Sequence, residues 1–114
     1  MISISWKGGI SYASQNKDKI PTYAGIYVIT DMSGKIYYVG QANDLQRRFN
    51  EHLCDSEPNI SLKNFIRRNM AKFYWVGFPN KDDRNGVELF LFKKISPALN
   101  DAVPCGKTPI PVSW

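Results

Sequence analysis

Two short apolar runs constrain this chain more than any other feature: Gly25-Ile26-Tyr27-Val28-Ile29-Thr30 and Lys35-Ile36-Tyr37-Tyr38-Val39-Gly40, separated by Asp31-Met32-Ser33-Gly34. Both runs are dense in β-branched and aromatic residues, and the linker ends in a glycine where a left-handed residue is wanted. The spacing predicts a β-hairpin. If the four-residue loop pairs Thr30 with Lys35, Tyr27 stands directly opposite Tyr38, and directly opposed residues share a face of the sheet. Two phenols then project side by side.

After the hairpin the hydrophobic period changes from two to nearly four. Leu45, Phe49 and Leu53 form an i, i+4, i+8 stripe, and Asn43 followed three residues later by Gln46 resembles a capping box, so 43–53 reads as an amphipathic helix. Arg48 and His52, four apart, stack on one flank of the stripe, while Arg47 points about 100° away and is expected outside any cleft that Arg48 faces. Ser61 to Asn69 reads as a second helix with Leu62, Phe65 and Ile66 inward, and Lys72 to Phe78 as a third strand. A third helix starts near Asp82 or Asp83, buries Val87, Leu91 and Ile95, carries Glu88, and stops at Ser96 because Pro97 disfavours helix in the residue before it. Met1 to Lys7 alternates like a strand, Ser11 to Pro21 reads as a loop, and 101–114, with Pro104, Pro109 and Pro111, as an irregular tail over the domain.

Length and composition set outer bounds. The 114 residues, 43% of them hydrophobic, suffice for one domain spanning 1–114 with its own core. No run approaches the roughly 18 apolar residues of a membrane span, and the N-terminus lacks a secretory pattern, so a soluble, cytoplasmic protein with no membrane partner is expected. Cys54 and Cys105 sit in no metal or redox spacing and read as free thiols, and His52-x-Cys54 is too little for zinc. Fifteen Lys and Arg against ten Asp and Glu give +5, which favours a polyanionic partner through counterion release, although the charge is spread along the chain.

In chain order, Gly25-Ile26-Tyr27, Tyr38-Val39-Gly40, Arg48, His52, Glu88 and Asn100 form a set that resembles the GIY-YIG nuclease superfamily, over roughly residues 24 to 100, as a stand-alone single-domain member. The resemblance implies an α/β (α+β) fold: a small central three-stranded antiparallel sheet flanked by about three helices, with the active site on the face where the tyrosines emerge. It implies catalytic roles for Tyr27, Tyr38 and Arg48, a site position for His52 one helical turn later, a metal-ligand role for Glu88, and a polar site residue at Asn100. Gly40 and Gln41 support the site. Family members often carry lysine just after the second triplet; Gln41 can position water there but supplies no charge.

Phosphodiester hydrolysis adds negative charge to the phosphate in the transition state, so an arginine and a hard metal do most of the work. Mg²⁺ (or Mn²⁺) prefers oxygen ligands and keeps several waters, so the single carboxylate of Glu88 is sufficient. The general base is left open between Tyr27, which needs a nearby cation to favour its phenolate, and His52, whose intrinsic pKa suits the role. Lys63, Arg67, Arg68 and Lys72 are candidates for nucleic-acid contact outside the cleft. The expected function is a metal-dependent endonuclease acting on nucleic acid, DNA foremost, with low intrinsic sequence specificity because no separate reading module is visible. The alternative is a weakly active or inactive nucleic-acid-binding module of a larger complex, and a homodimer or partner protein stays open. Singly, each residue also fits an ordinary structural use; the ordered set carries the argument.

Overall fold

The structure, a computed structural model, describes residues 2–68, 71–104 and 106–114. Cys105 and Asn69, which figured in the sequence reading, lie outside the described residues. A four-stranded antiparallel sheet has the order β2-β5-β3-β4, with β2 at Lys7–Ser11, β3 at Gly25–Thr30, β4 at Ile36–Ala42 and β5 at Lys72–Gly77. Strand β3 is central and buried at all six residues, which is why it reads as a continuous apolar run. Strand β4 is an edge.

The expected three strands are joined by a fourth, β2, which pairs with β5 through an irregularity between Gly8 and Ile10. Its glycines hide it from a strand-period reading; Gly8 (φ 97°) and Gly9 (φ 75°) take conformations that side chains avoid. The N-terminal alternation yields only a two-residue strand, β1 (Ile2–Ser3), and Ser14–Lys19 within the expected loop is a 3₁₀ turn. The tail is more ordered than its prolines suggest, since β6 (Val112–Ser113) pairs in parallel with β1.

Helix α1 (Leu45–Leu53) and α2 (Ile60–Arg68) cover one face of the sheet, where Tyr27, Ile29, Phe49, Leu62, Ile66 and Phe73 form a core cluster. Helix α3 (Lys81–Ile95) covers the other, with Val87 and Leu91 against Ile26, Val28 and Val39. Each fully buried side chain of this size contributes roughly 1.5–3 kcal/mol relative to exposure. Part of the outer side of α3 is covered as well, because Ile110 of the tail lies where a Cβ on Gly86 would stand and donates its N–H to Gly86 O at 2.9 Å.

The cap of α1 differs from the expected capping box. Asp44 accepts from Arg47 N at 2.9 Å, whereas Gln46 reaches back to the carbonyls of Lys17 and Ile20, each at 3.1 Å. Asn43 is drawn off by Arg84. Tertiary partners outcompete the local box.

The hairpin register also differs from direct Tyr27–Tyr38 opposition. Asp31 N donates to Lys35 O at 3.1 Å, and its side chain accepts from the N–H groups of Ser33 and Lys35, so the loop closes on a Asp31–Lys35 pair and Thr30 faces Ile36. A bulge at Tyr37 shifts the register once more, leaving Ile29 opposite Tyr38 and Tyr27 opposite Gly40. A one-residue slip flips a strand's faces; two slips restore them. The tyrosines therefore share a face as diagonal neighbours, with ring centroids 6.1 Å apart.

Candidate active site

Because Tyr27 faces Gly40 across the hairpin, its ring lies over a residue with no side chain; a Cβ on Gly40 would collide with the Tyr27 Cζ and Oη. The phenol is thereby held against α1. There Tyr27 Oη and His52 Nε2 are 2.7 Å apart, and His52 Nδ1 and Glu57 Oε2 are 3.0 Å apart. The Glu57 carboxylate accepts, so Nδ1 carries the proton and Nε2 accepts from the Tyr27 hydroxyl. His52 has no exposed surface, Tyr27 is 1% exposed and Glu57 6%. Burial lowers the His52 pKa to about 3, with Arg48 acting in the same direction and Glu51 opposing, so the ring is neutral at pH 7. Burial also raises Tyr27 well above the ordinary phenol range, helped by Tyr38 and opposed by Arg48. Tyr38 is raised by burial with Arg48 again opposing.

Glu57 escapes a sequence reading because it lies in the α1–α2 connection with no periodic signal. Its second oxygen accepts from Asn59 N at 3.2 Å. Asn59 in turn caps α2 through Leu62 N and donates to Leu99 O at 2.7 Å. The next residue, Asn100, brackets Val39, accepting from its N–H at 3.0 Å and donating to its carbonyl at 2.8 Å. Both polar ends of Asn100 thus satisfy the open edge of β4 as a fifth strand would.

The opposite face of β4 carries a second network. Gln41 Nε2 donates to Glu88 Oε1 at 3.1 Å and to Asn85 Oδ1, while Gln41 Oε1 accepts from Arg84 Nε at 3.2 Å. Arg84, 3% exposed, also donates to Asn43 Oδ1 at 2.7 Å and to the carbonyls of Phe78 and Pro79. The charge that Gln41 lacks therefore stands one bond away. Arg84 and Glu88, four apart on α3, are linked through Gln41, and nothing in their spacing names that link.

Glu88 is partly buried, and burial raises its pKa while the Gln41 bond and Arg48 lower it. Among the described residues Oε2 has no hydrogen-bond partner, and no three His, Cys, Asp or Glu side chains cluster as a ready metal cage. One half-buried carboxylate with a free oxygen fits a hard, largely hydrated divalent cation and does not fit zinc. Arg48, on α1, influences Tyr27, Tyr38, His52 and Glu88 alike and bonds Glu51 at 3.3 Å. The tyrosines, Arg48, His52, Gly40, Gln41 and Glu88 are thus brought to one stretch of edge strand, from both of its faces.

The other predicted cations sit elsewhere. Arg67 pairs with Asp55 at 2.5 Å and Lys63 donates to the Asp55 carbonyl at 3.2 Å, so both tie down the α1–α2 connection. Arg68 is exposed and Lys72 half-buried at the start of β5. Arg47, expected to point away, lines the same cleft as Arg48 together with Asn43, Lys81 and Asn85. The Cys54 thiol is free and exposed, and no described helix is long and apolar enough to cross a membrane.

The family model of the GIY-YIG catalytic domain matches residues 23–100. The chain is 28% identical over 86 residues to UvrABC system protein C of Dictyoglomus thermophilum, covering 75% of this chain and 14% of that protein. It is 30% identical over 82 residues to UvrABC system protein C of Finegoldia magna, covering 72% and 13%. It thus spans about a seventh of these relatives. Among solved structures, the GIY-YIG N-terminal endonuclease domain of UvrC from Thermotoga maritima bound to magnesium superposes with a TM-score of 0.63 at 21% identity, over 75% of this chain and 92% of that one. A point mutant of that domain gives 0.64 at 19% identity, over 77% and 93%. With the family model spanning both tyrosine triplets, Arg48, His52, Glu88 and Asn100, this chain belongs to the GIY-YIG family of nuclease catalytic domains.

Proposed function

We propose that the chain is a divalent-metal-dependent endonuclease that hydrolyses phosphodiester bonds in nucleic acid, DNA foremost. The observation that carries this reading is the convergence on β4 of a buried Tyr27–His52–Glu57 proton chain and the Glu88 carboxylate, with Arg48 near both. A hard divalent cation held by Glu88, magnesium as in the related Thermotoga domain, supplies positive charge beside the scissile phosphate. Arg48 holds phosphate oxygens with two parallel donors as their charge grows. The attacking water gives its proton to Tyr27 Oη while the phenol proton passes to His52 Nε2. The resulting imidazolium, which burial alone disfavours, is held through Nδ1–H by the Glu57 carboxylate. His52, whose Nε2 is taken by the Tyr27 hydroxyl, acts through that phenol rather than on water directly. Gln41 positions Glu88, and Asn100 keeps β4 in register.

Incubation with supercoiled plasmid and Mg²⁺ should give nicked circles, and EDTA should stop it. Glu88→Gln, which keeps volume and helix propensity, should lower the rate by about 10³-fold or more with the fold intact. No nicking by the wild type with Mg²⁺ or Mn²⁺ on any nucleic acid would sink the reading.

A further inference from the structure

We infer that the cleft beside Glu88, between the first turns of α1 and α3, is a subsite for the sugar-phosphate backbone next to the cut bond, with Arg47 and Lys81 as its cations. The inference rests on the nuclease reading above and adds where the strand runs. The cleft encloses about 440 Å³ and adjoins the active site through Gln41 and Asn85.

Its chemistry is set from below by Arg84. A guanidinium has only donors, so each amide that touches it must present oxygen. Asn43 does so with Oδ1 and Gln41 with Oε1. That orientation turns Gln41 Nε2 outward, where it faces Asn85 Oδ1 and fixes that amide too. The acceptor ends of Asn43 and Asn85 are thereby consumed by the protein. Their Nδ2 groups have no partner among the described residues and are left for the cleft that both side chains line. One buried cation has converted ambivalent amides into donors.

Three exposed or half-exposed cations, Arg47, Arg48 and Lys81, line the same cleft. The acid that pairs with both arginines, Glu51, at 4.0 Å from Arg47 and 3.3 Å from Arg48, lines the neighbouring hollow toward Glu57 instead. A surface offering cations and amide donors fits an oxyanion. Because it continues from the Glu88 carboxylate, the anion it takes is a neighbouring phosphate of the strand being cut. Such contacts fix register on the backbone and carry no base sequence.

The test is equilibrium binding of a fluorescent DNA oligonucleotide, single-stranded and duplex, in EDTA so that nothing is cut, across a salt series. Arg47→Gln and Lys81→Gln should each weaken binding about 5- to 10-fold at low salt and reduce the slope of log K against log[salt] by about 0.7 to 0.9. Asn43→Asp keeps the oxygen that Arg84 needs but replaces the outward donor with an acceptor, and should weaken binding at least as much. Lys94→Gln, in the exposed last turn of α3 at the far end from the cleft and with the same net charge as Arg47→Gln, should leave Kd within about twofold. In Mg²⁺, Arg47→Gln should raise KM while the single-turnover rate at saturation holds. Equal effects at Arg47 and Lys94, or unchanged slopes for both cleft variants, overturn the subsite while leaving the nuclease reading standing. Failure of the wild type to bind any nucleic acid overturns the nuclease reading itself.

Discussion

The two faces of β4 handle polar groups in opposite ways. On the α1 face, Tyr27, His52 and Glu57 are between 0% and 6% exposed, and each hydrogen bond is spent inside the chain. On the α3 face, Gln41, Asn85 and Glu88 are half-buried and open into a cleft, with one buried cation, Arg84, organising them. The first arrangement sets protonation states by excluding water, which suits proton transfer between a neutral phenol and a neutral imidazole. The second keeps charges and donors partly hydrated, which suits a metal and a phosphate that must enter and leave. Gly40 lets the two meet, because Tyr27 occupies the space its side chain would take.

Gly40→Ala is the sharpest way to break this contrast. The methyl group should displace the Tyr27 phenol from His52 while leaving the Gln41–Glu88 side in place, lowering kcat by about 10²-fold for a displacement on the order of 1 Å. Binding of Mg²⁺-free DNA should change little. If kcat survives in a folded variant, the buried chain plays no part in turnover.

A smaller effect is expected from Glu57→Gln. The amide oxygen can still receive Nδ1–H, but a neutral partner no longer stabilises the imidazolium, so kcat should fall about tenfold at unchanged KM. A purely structural Glu57 would instead lower the melting temperature and leave the rate per folded molecule at the wild-type value.

The smallest effect is on stability. His52 is held neutral, with a folded pKa of about 3 against 6.5 in the unfolded chain, so below pH 6.5 the unfolded state binds the extra proton. Its contribution is complete above about 6.5 and declines as pH falls toward 3, by up to about 1.4 kcal/mol per pH unit. Glu88, raised by burial, has the opposite sign, its contribution being lost as pH rises through its folded pKa. The difference in unfolding free energy between wild type and His52→Gln isolates the histidine. A difference that stays constant from pH 7 to 5 would contradict a buried neutral ring.

Local periodicity determined much of this protein. Strand runs around the two triplets, the α1 stripe that carries Arg48 and His52, and the α3 segment that carries Glu88 are all written in spacings of two or three to four residues, which short-range sterics enforce. Even the shared face of Tyr27 and Tyr38 followed from parity, and it survived because the loop closure at Asp31–Lys35 and the bulge at Tyr37 each moved the register by one. The register was set by the Asp31 loop closure and the bulge at Tyr37, which periodicity does not encode, whereas the glycine-bearing strand β2 and the cap of α1 were decided by hydrogen bonds between distant segments. The same holds for Glu57 behind His52, Arg84 behind Gln41 and Asn43, and Arg47 in the cleft. A side chain's periodic position says which way it leaves the backbone. Only the packed structure decides which buried donor needs an acceptor there, because an unpaired polar group costs about 1–3 kcal/mol and the chain arranges its loops to avoid that loss.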